Sequence, residues 1–181
     1  MALTRLGPNQ LINLATNTTG SLNLTSQVTG TLPAANGGTG STTFSPGKVV
    51  GTAHAMYASE TATNSGSYVA TGLTCNYTPT STSNSLLVYV NHAQFYVNGA
   101  NTSFKMQLYK DGTAVRRVGW DMGYQDSACH TGGTSFVYAD TISSTNQVTY
   151  ATYFCMSNGG GYVYSSINNT PATLTIMEIA A

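Results

Sequence analysis

Thr102-Ser103-Phe104-Lys105-Met106-Gln107-Leu108-Tyr109-Lys110-Asp111-Gly112-Thr113-Ala114-Val115-Arg116-Arg117-Val118-Gly119-Trp120 is the stretch that decides the fold class. Phe104, Met106 and Leu108 alternate with Lys105, Gln107 and Tyr109. A period of two marks a half-buried strand, because successive side chains leave the backbone on opposite faces. Asp111-Gly112 follows at once, and both residue types tolerate the positive φ that a tight hairpin turn demands. Ala114–Trp120 then pairs back as the second strand.

The same grammar extends outward in both directions. Upstream, Leu86–Val97 is a long apolar run and reads as one buried strand. Ser67–Tyr77 reads as a strand broken by Gly72 and closed by Pro79 and the Ser/Thr cluster of residues 80–85. Lys48–Tyr57 is the first strand of the body. Downstream, Thr134–Ile142 and Gln147–Met156 are strands, the latter with Val148, Tyr150, Phe154 and Met156 on one face. Gly159-Gly160-Gly161 turns the chain into Tyr162–Ile167, and Thr173–Ala180 is the last strand. Glu178 falls on the face of Leu174 and Ile176, where a carboxylate needs a partner; a cation is the expected one. No stretch reads as a long helix. About nine short strands separated by turn signals argue for an antiparallel β-sandwich or jelly roll over residues 47–181.

Composition narrows the function classes. Of 181 residues only 7% are charged, six basic against six acidic, where about 25% is usual. Zero net charge gives no sign of a nucleic-acid groove or a polybasic membrane patch. No run approaches the ~18 apolar residues of a membrane span, and residues 1–8 do not read as a signal peptide. With 41% hydrophobic residues and twelve tyrosines, the chain is not of the disordered type. A tyrosine-rich, lysine-poor surface suits an oligomer. Cys75, Cys129 and Cys155 form an odd set without a CxxC pair, which reads as free thiols of a protein folded in a reducing cytosol.

Residues 1–46 are different in kind, with Arg5 as their single charge. Asn13–Leu22 and Asn23–Leu32 repeat the pattern N-L-small-small-x-x-T-G-small-L, bringing Leu14, Leu22, Leu24 and Leu32 to the ends of the units. Such a segment has too few large apolar side chains to build a core. It reads as an extended arm held by other chains; a flexible Gly/Ser/Thr linker is the alternative. The arm closes on Thr29-Gly30-Thr31-Leu32-Pro33-Ala34-Ala35-Asn36-Gly37-Gly38-Thr39-Gly40, where Pro33 fixes φ and Gly37, Gly38 and Gly40 allow close backbone approach.

That twelve-residue string resembles the arm near the N-terminus of short tail-fibre and virion-appendage proteins of tailed bacteriophages, including cyanophages. The resemblance covers Leu3 to Gly40. It extends to the body through Val69–Leu73, Thr78–Val88 and Ala172–Ala180, which are similar to the C-terminal domains of those fibres. It implies an anchoring role for Leu14, Leu22, Leu24, Leu32, Pro33, Asn36, Gly37, Gly38 and Gly40, a β-sandwich that forms a homotrimer, and other virion proteins (tail adaptor, tail tube or capsid) as partners. It also implies a virion location after assembly in the bacterial cytoplasm.

A search for chemistry returns no catalytic, cofactor or metal site. Asp121 and Asp126 are the one close pair of acids, and loop acids in solvent explain them as well as a catalytic pair does. Asp126, Cys129 and His130 match no closed zinc pattern. There is no G-x-S-x-G, P-loop or dinucleotide fingerprint. The richest body segment is Trp120–Gly133. Trp120, Asp121, Tyr124, Gln125, Asp126 and His130 there, with Tyr162 and Tyr164 after the glycine run, are the candidate receptor-contacting residues, since aromatic rings give large contact area with polar tips. The alternative is that Trp120 fills the core and the rest is an ordinary loop. Arg116 and Arg117 alternate faces, so one is expected on the surface and the other in a salt bridge.

The expectation is therefore a non-enzymatic phage virion protein: a short trimeric fibre or spike, anchored by residues 1–46, whose body meets a host surface glycan or protein. A capsid fibre or decoration protein is the second reading. A cellular carbohydrate-binding adhesin module is the third.

Overall fold

The computed structural model describes residues 48–181. The arm, with candidate anchoring residues Leu14, Leu22, Leu24, Leu32, Pro33, Asn36, Gly37, Gly38 and Gly40, lies outside the described residues. In chain order the strands are β1 (Val49–Tyr57), β2 (Thr61–Thr63), β3 (Val69–Tyr77), β4 (Ser85–His92), β5 (Phe95–Val97), β6 (Thr102–Lys110), β7 (Thr113–Gln125), β8 (Cys129–Thr131), β9 (Thr134–Thr141), β10 (Val148–Asn158), β11 (Val163–Ser165) and β12 (Ala172–Ile179). The described residues are all-β and every pairing among them is antiparallel, consistent with a β-sandwich.

The first sheet has the order β1-β12-β4-β9, the second β3-β10-β6-β7, and the third β2-β11-β5-β8. The third is the first continued. β2 follows β1, β5 follows β4, β8 precedes β9 and β11 precedes β12, in the same lateral order. A fold line crosses this long sheet at residues 58–60, 93–94, 132–133 and 166–171. Along it, Ser166, Asn168 and Asn169 all take left-handed conformations, each with φ 57.

The inner faces carry one hydrophobic core. Leu86, Val88 and Val90 on β4 and Leu174 and Ile176 on β12 meet Leu73 on β3, Phe104, Met106 and Leu108 on β6, and Tyr150 and Phe154 on β10. Each such side chain contributes roughly 1.5–3 kcal/mol on burial. Phe95, Val97 and Val163 extend the core beneath the third sheet.

The hairpin forms as its sequence requires, with Asp111 at φ 49 and Gly112 at φ 78. Elsewhere the expectations need correction. Leu86–Val97 is two strands in two sheets, because the buried positions change phase from Leu86, Val88, Val90 and His92 to Phe95 and Val97. Gly72 does not break β3. It takes φ 94 and lets the Tyr57 ring lie where a Cβ would be. β7 runs on past Trp120 to Gln125, with four register shifts against β6; such bulges re-aim side chains. β2 and β8 are strands that no period announced.

Glu178 is fully buried, and its partner is not a cation. Tyr77 Oη donates to it at 2.7 Å, Asn84 Nδ2 at 2.7 Å, Thr80 Oγ1 at 2.8 Å, the Thr80 amide at 3.0 Å and the Ser81 amide at 3.3 Å. Desolvation alone would raise its pKa, but the bonds from Tyr77, Asn84 and Thr80 outweigh it and hold the carboxyl at about 2. Across the core, His92 Nε2 lies 3.0 Å from Thr152 Oγ1, which lies 2.6 Å from Thr71 Oγ1. Burial pushes His92 down to about 4. Asp140 on β9 makes a third tie to the second sheet, receiving Lys110 Nζ at 2.6 Å and the Tyr150 hydroxyl.

Two pH windows follow. Unfolded His92 takes up a proton near its ordinary 6.5, the folded one only near 4. Between these values the unfolded chain binds more protons, so stability falls as pH drops, by roughly 3 kcal/mol over the whole window. Glu178, ordinarily at 4.5 and held at about 2, adds a second loss from 4.5 downward. Urea midpoints should therefore fall between pH 7 and 5, and His92→Gln should flatten that limb while leaving the lower one. Glu178→Gln should lower stability at pH 7 by roughly 2–4 kcal/mol, because it turns an N–H toward donors. A midpoint unchanged in Glu178→Gln would contradict the assignment.

Candidate functional site

The eight candidate residues of the body separate into two groups. The first lies along β7. Trp120 is 53% exposed, so it does not fill the core. Lys105 Nζ stands 3.6 Å from its ring centroid and Arg117 Cζ 4.5 Å from it, an arrangement worth about 0.5–1 kcal/mol per cation at an exposed site. Arg116 and Arg117 are both exposed. Lys110–Asp140 is the one salt bridge among the described residues, so neither arginine has the acid partner expected for one of them. Asp121 has φ 53 and accepts hydrogen bonds from Ser103 Oγ at 3.2 Å and from Ser157 Oγ. Its carboxylate is thus engaged in holding β7 against β6 and β10. Tyr124 donates to Asn101 Oδ1 at 3.0 Å. Asp126 is exposed between β7 and β8. Gln125 ends β7 opposite Thr102; its side chain, like that of Cys129, lies outside what is described.

The second group sits on the outer face of the third sheet. Register puts Tyr164 of β11 opposite Tyr96 of β5, and Tyr96 opposite His130 of β8. The rings follow suit, with centroids 5.6 Å apart for Tyr96–Tyr164 and 4.7 Å for Tyr96–His130. Tyr162 extends the row, 6.2 Å from Tyr164. Gln94 and Asn98, two residues either side of Tyr96, share this face. Gln94 Nε2 lies 3.1 Å from His130 Nδ1, Asn98 Nδ2 donates to Tyr164 Oη at 3.4 Å, and Asn98 Oδ1 accepts from the Tyr162 amide at 3.0 Å.

His130, Tyr162 and Tyr164 were legible as candidates; Tyr96, which links them, was not. Its signal was the phase switch after His92, which places Tyr96 on the outward side between buried Phe95 and Val97. Cys75 and Cys155 are buried free thiols. Among the described residues no three His, Cys, Asp or Glu side chains gather to hold a metal, and no helix is long and apolar enough to cross a membrane.

Trp120 is the sole tryptophan, so its fluorescence reports the first group alone. Iodide should quench it more efficiently than caesium, because Lys105 and Arg117 concentrate anions at the ring. Lys105→Ala with Arg117→Ala should remove that asymmetry. Equal quenching by both ions in the wild type would contradict the geometry.

No protein-family model matches the chain, and no curated protein does.

Proposed function

We propose that the chain is a non-enzymatic virion appendage of a tailed phage, mounted by residues 1–46 and presenting its β body to the host surface as a homotrimer. The observation that carries this reading is the polarity of the body. The chain enters at Lys48, whose carbonyl accepts the Ala180 amide at 2.8 Å, so β1 begins beside the C-terminus. β1 then runs to Tyr57, opposite Ala172, and the third sheet lies beyond that end. The aromatic face thus lies at the end of the body away from Lys48 and Ala180. The Thr29–Gly40 string supports the same reading from the sequence. The eight composite strands, counted one to eight along the chain, also lie in the order 1-8-3-6 and 2-7-4-5. That is the order of a jelly roll, an architecture common in viral and lectin domains.

Self-association has its own support. On the outer face of the first sheet, cross-strand rows such as His54–Thr175–Tyr89–Val137 and Thr52–Met177–Leu87–Ala139 contain no Lys, Arg, Asp or Glu. Val49, Val50, Met56, Tyr89 and Val137 are exposed there. A sheet face so free of charge suits a partner copy.

Electron microscopy of virions carrying a labelled tag after Ala181 tests the assignment. Label at the tail is expected for a host-recognition fibre, and label over the head would instead favour the capsid decoration reading. Particles without label would overturn both. In light scattering the full chain should weigh three protomers, and Tyr89→Lys with Val137→Lys should reduce it to one without loss of β circular dichroism. A wild-type monomer would remove the trimer from the proposal.

A further inference from the structure

We infer that the row His130–Tyr96–Tyr164–Tyr162 is a binding strip for an uncharged polysaccharide chain. The inference deepens the host-surface reading above and rests on it for its biological setting, while its chemistry stands on the strip itself. β8, β5 and β11 each contribute one ring, His130, Tyr96 and Tyr164. These three advance by the strand spacing of about 4.8 Å, and Tyr162, just before β11, adds the fourth beside Tyr164. That step is close to the length of one sugar ring. The C–H face of a pyranose is apolar and weakly electropositive, and it packs on the electron-rich face of an aromatic ring. A row of such rings can take successive sugars of one chain.

The polar groups fit the same ligand. Gln94 and Asn98 border the row with neutral amides, each able to donate and accept. Both are held by the rings they flank, at 3.1 Å to His130 Nδ1 and 3.4 Å to Tyr164 Oη. They are thus already oriented when a sugar hydroxyl arrives, which lowers the ordering cost of binding. No Lys, Arg, Asp or Glu occupies the row from Ala62 through Tyr164 and Tyr96 to His130. A charged glycan would find no counter-ion there. The cationic pair around Trp120 belongs to a different strand pair, β6 and β7, and is no part of this strip. The buried side of the third sheet, with Phe95, Val97, Val163 and Ser165 fully inaccessible, gives the short strands their support. The outward rings therefore need not be there to close the core. Weak contact at each copy suffices, since several copies on one particle multiply it.

Affinity electrophoresis of the full chain through gels containing dextran, mannan, galactan or xylan, with anionic polygalacturonate as the charged comparison, tests this. Retardation by at least one neutral gel is expected. Tyr164→Ala and Tyr162→Ala should each weaken it at least tenfold, Tyr96→Phe should preserve it, and Trp120→Ala should leave it unchanged. Tyr162 lies outside β11 and is 44% exposed, so Tyr162→Ala carries the test even if the other alanine variant fails to fold. No retardation by any neutral gel, retardation by polygalacturonate alone, or full retention in both alanine variants would overturn the inference. Particle labelling reads the virion assignment separately. Lost retardation with labelled particles removes only the ligand class, and retardation without labelled particles leaves a glycan-binding protein that is no virion component.

Discussion

The carboxylate of Glu178 is the constraint on which the closed end of the body depends. A buried charge is tolerated only where donors replace its water. Here the donors come from the second sheet and from the loop after it. Tyr77 belongs to β3, while Thr80, Ser81 and Asn84 belong to the connection into β4. One side chain on β12 therefore fixes the separation of the sheets, the path of residues 78–84 and the place where the chain enters and leaves. Asn84 also accepts the Ala181 amide at 3.3 Å, which joins the terminus to the same knot.

Two further polar ties hold the sheets elsewhere, and each solves the same problem with different chemistry. Asp140 takes a cation, Lys110, together with the Tyr150 hydroxyl. His92 gives up its charge and lives as a neutral imidazole against Thr152 and Ser165, beside the fold line of the long sheet. Its ring also stacks on Phe95, centroids 5.2 Å apart, across the break between β4 and β5. A chain with few charges thus buries Glu178 fully and the Lys110–Asp140 pair in part. The outside includes a charge-free sheet face and an aromatic row, surfaces that favour contact with other molecules over solvation.

The fold line matters for function because it separates two tasks. The eight- and nine-residue strands of the first sheet build the sandwich, and the three-residue strands of the third carry the aromatic row. Short strands gain little from their own hydrogen bonds. They persist because Phe95 stacks on Phe104, with centroids 4.5 Å apart, so the small sheet is riveted to the second sheet from below. The upper surface is thereby freed from structural duty.

Much of this was determined by the sequence alone. Strict alternation in β6, the Asp111-Gly112 turn, the inward side of β10 and the position of Glu178 on the inner face of β12 all follow from period two, which is a local property. So do His130, Tyr162 and Tyr164 as candidates, since exposed aromatics beside glycines stand out by composition. Tertiary structure decided the rest. Bulges in β7 break the period where Trp120 lies, so only pairing with β6 could say that its ring faces solvent. The five donors to Glu178 come from residues 94 to 101 positions away in sequence, beyond the reach of any local pattern. Tyr96 joins His130 and Tyr164 because β5 lies between β8 and β11, and lateral strand order is a product of the whole packed chain, not of any one segment of it.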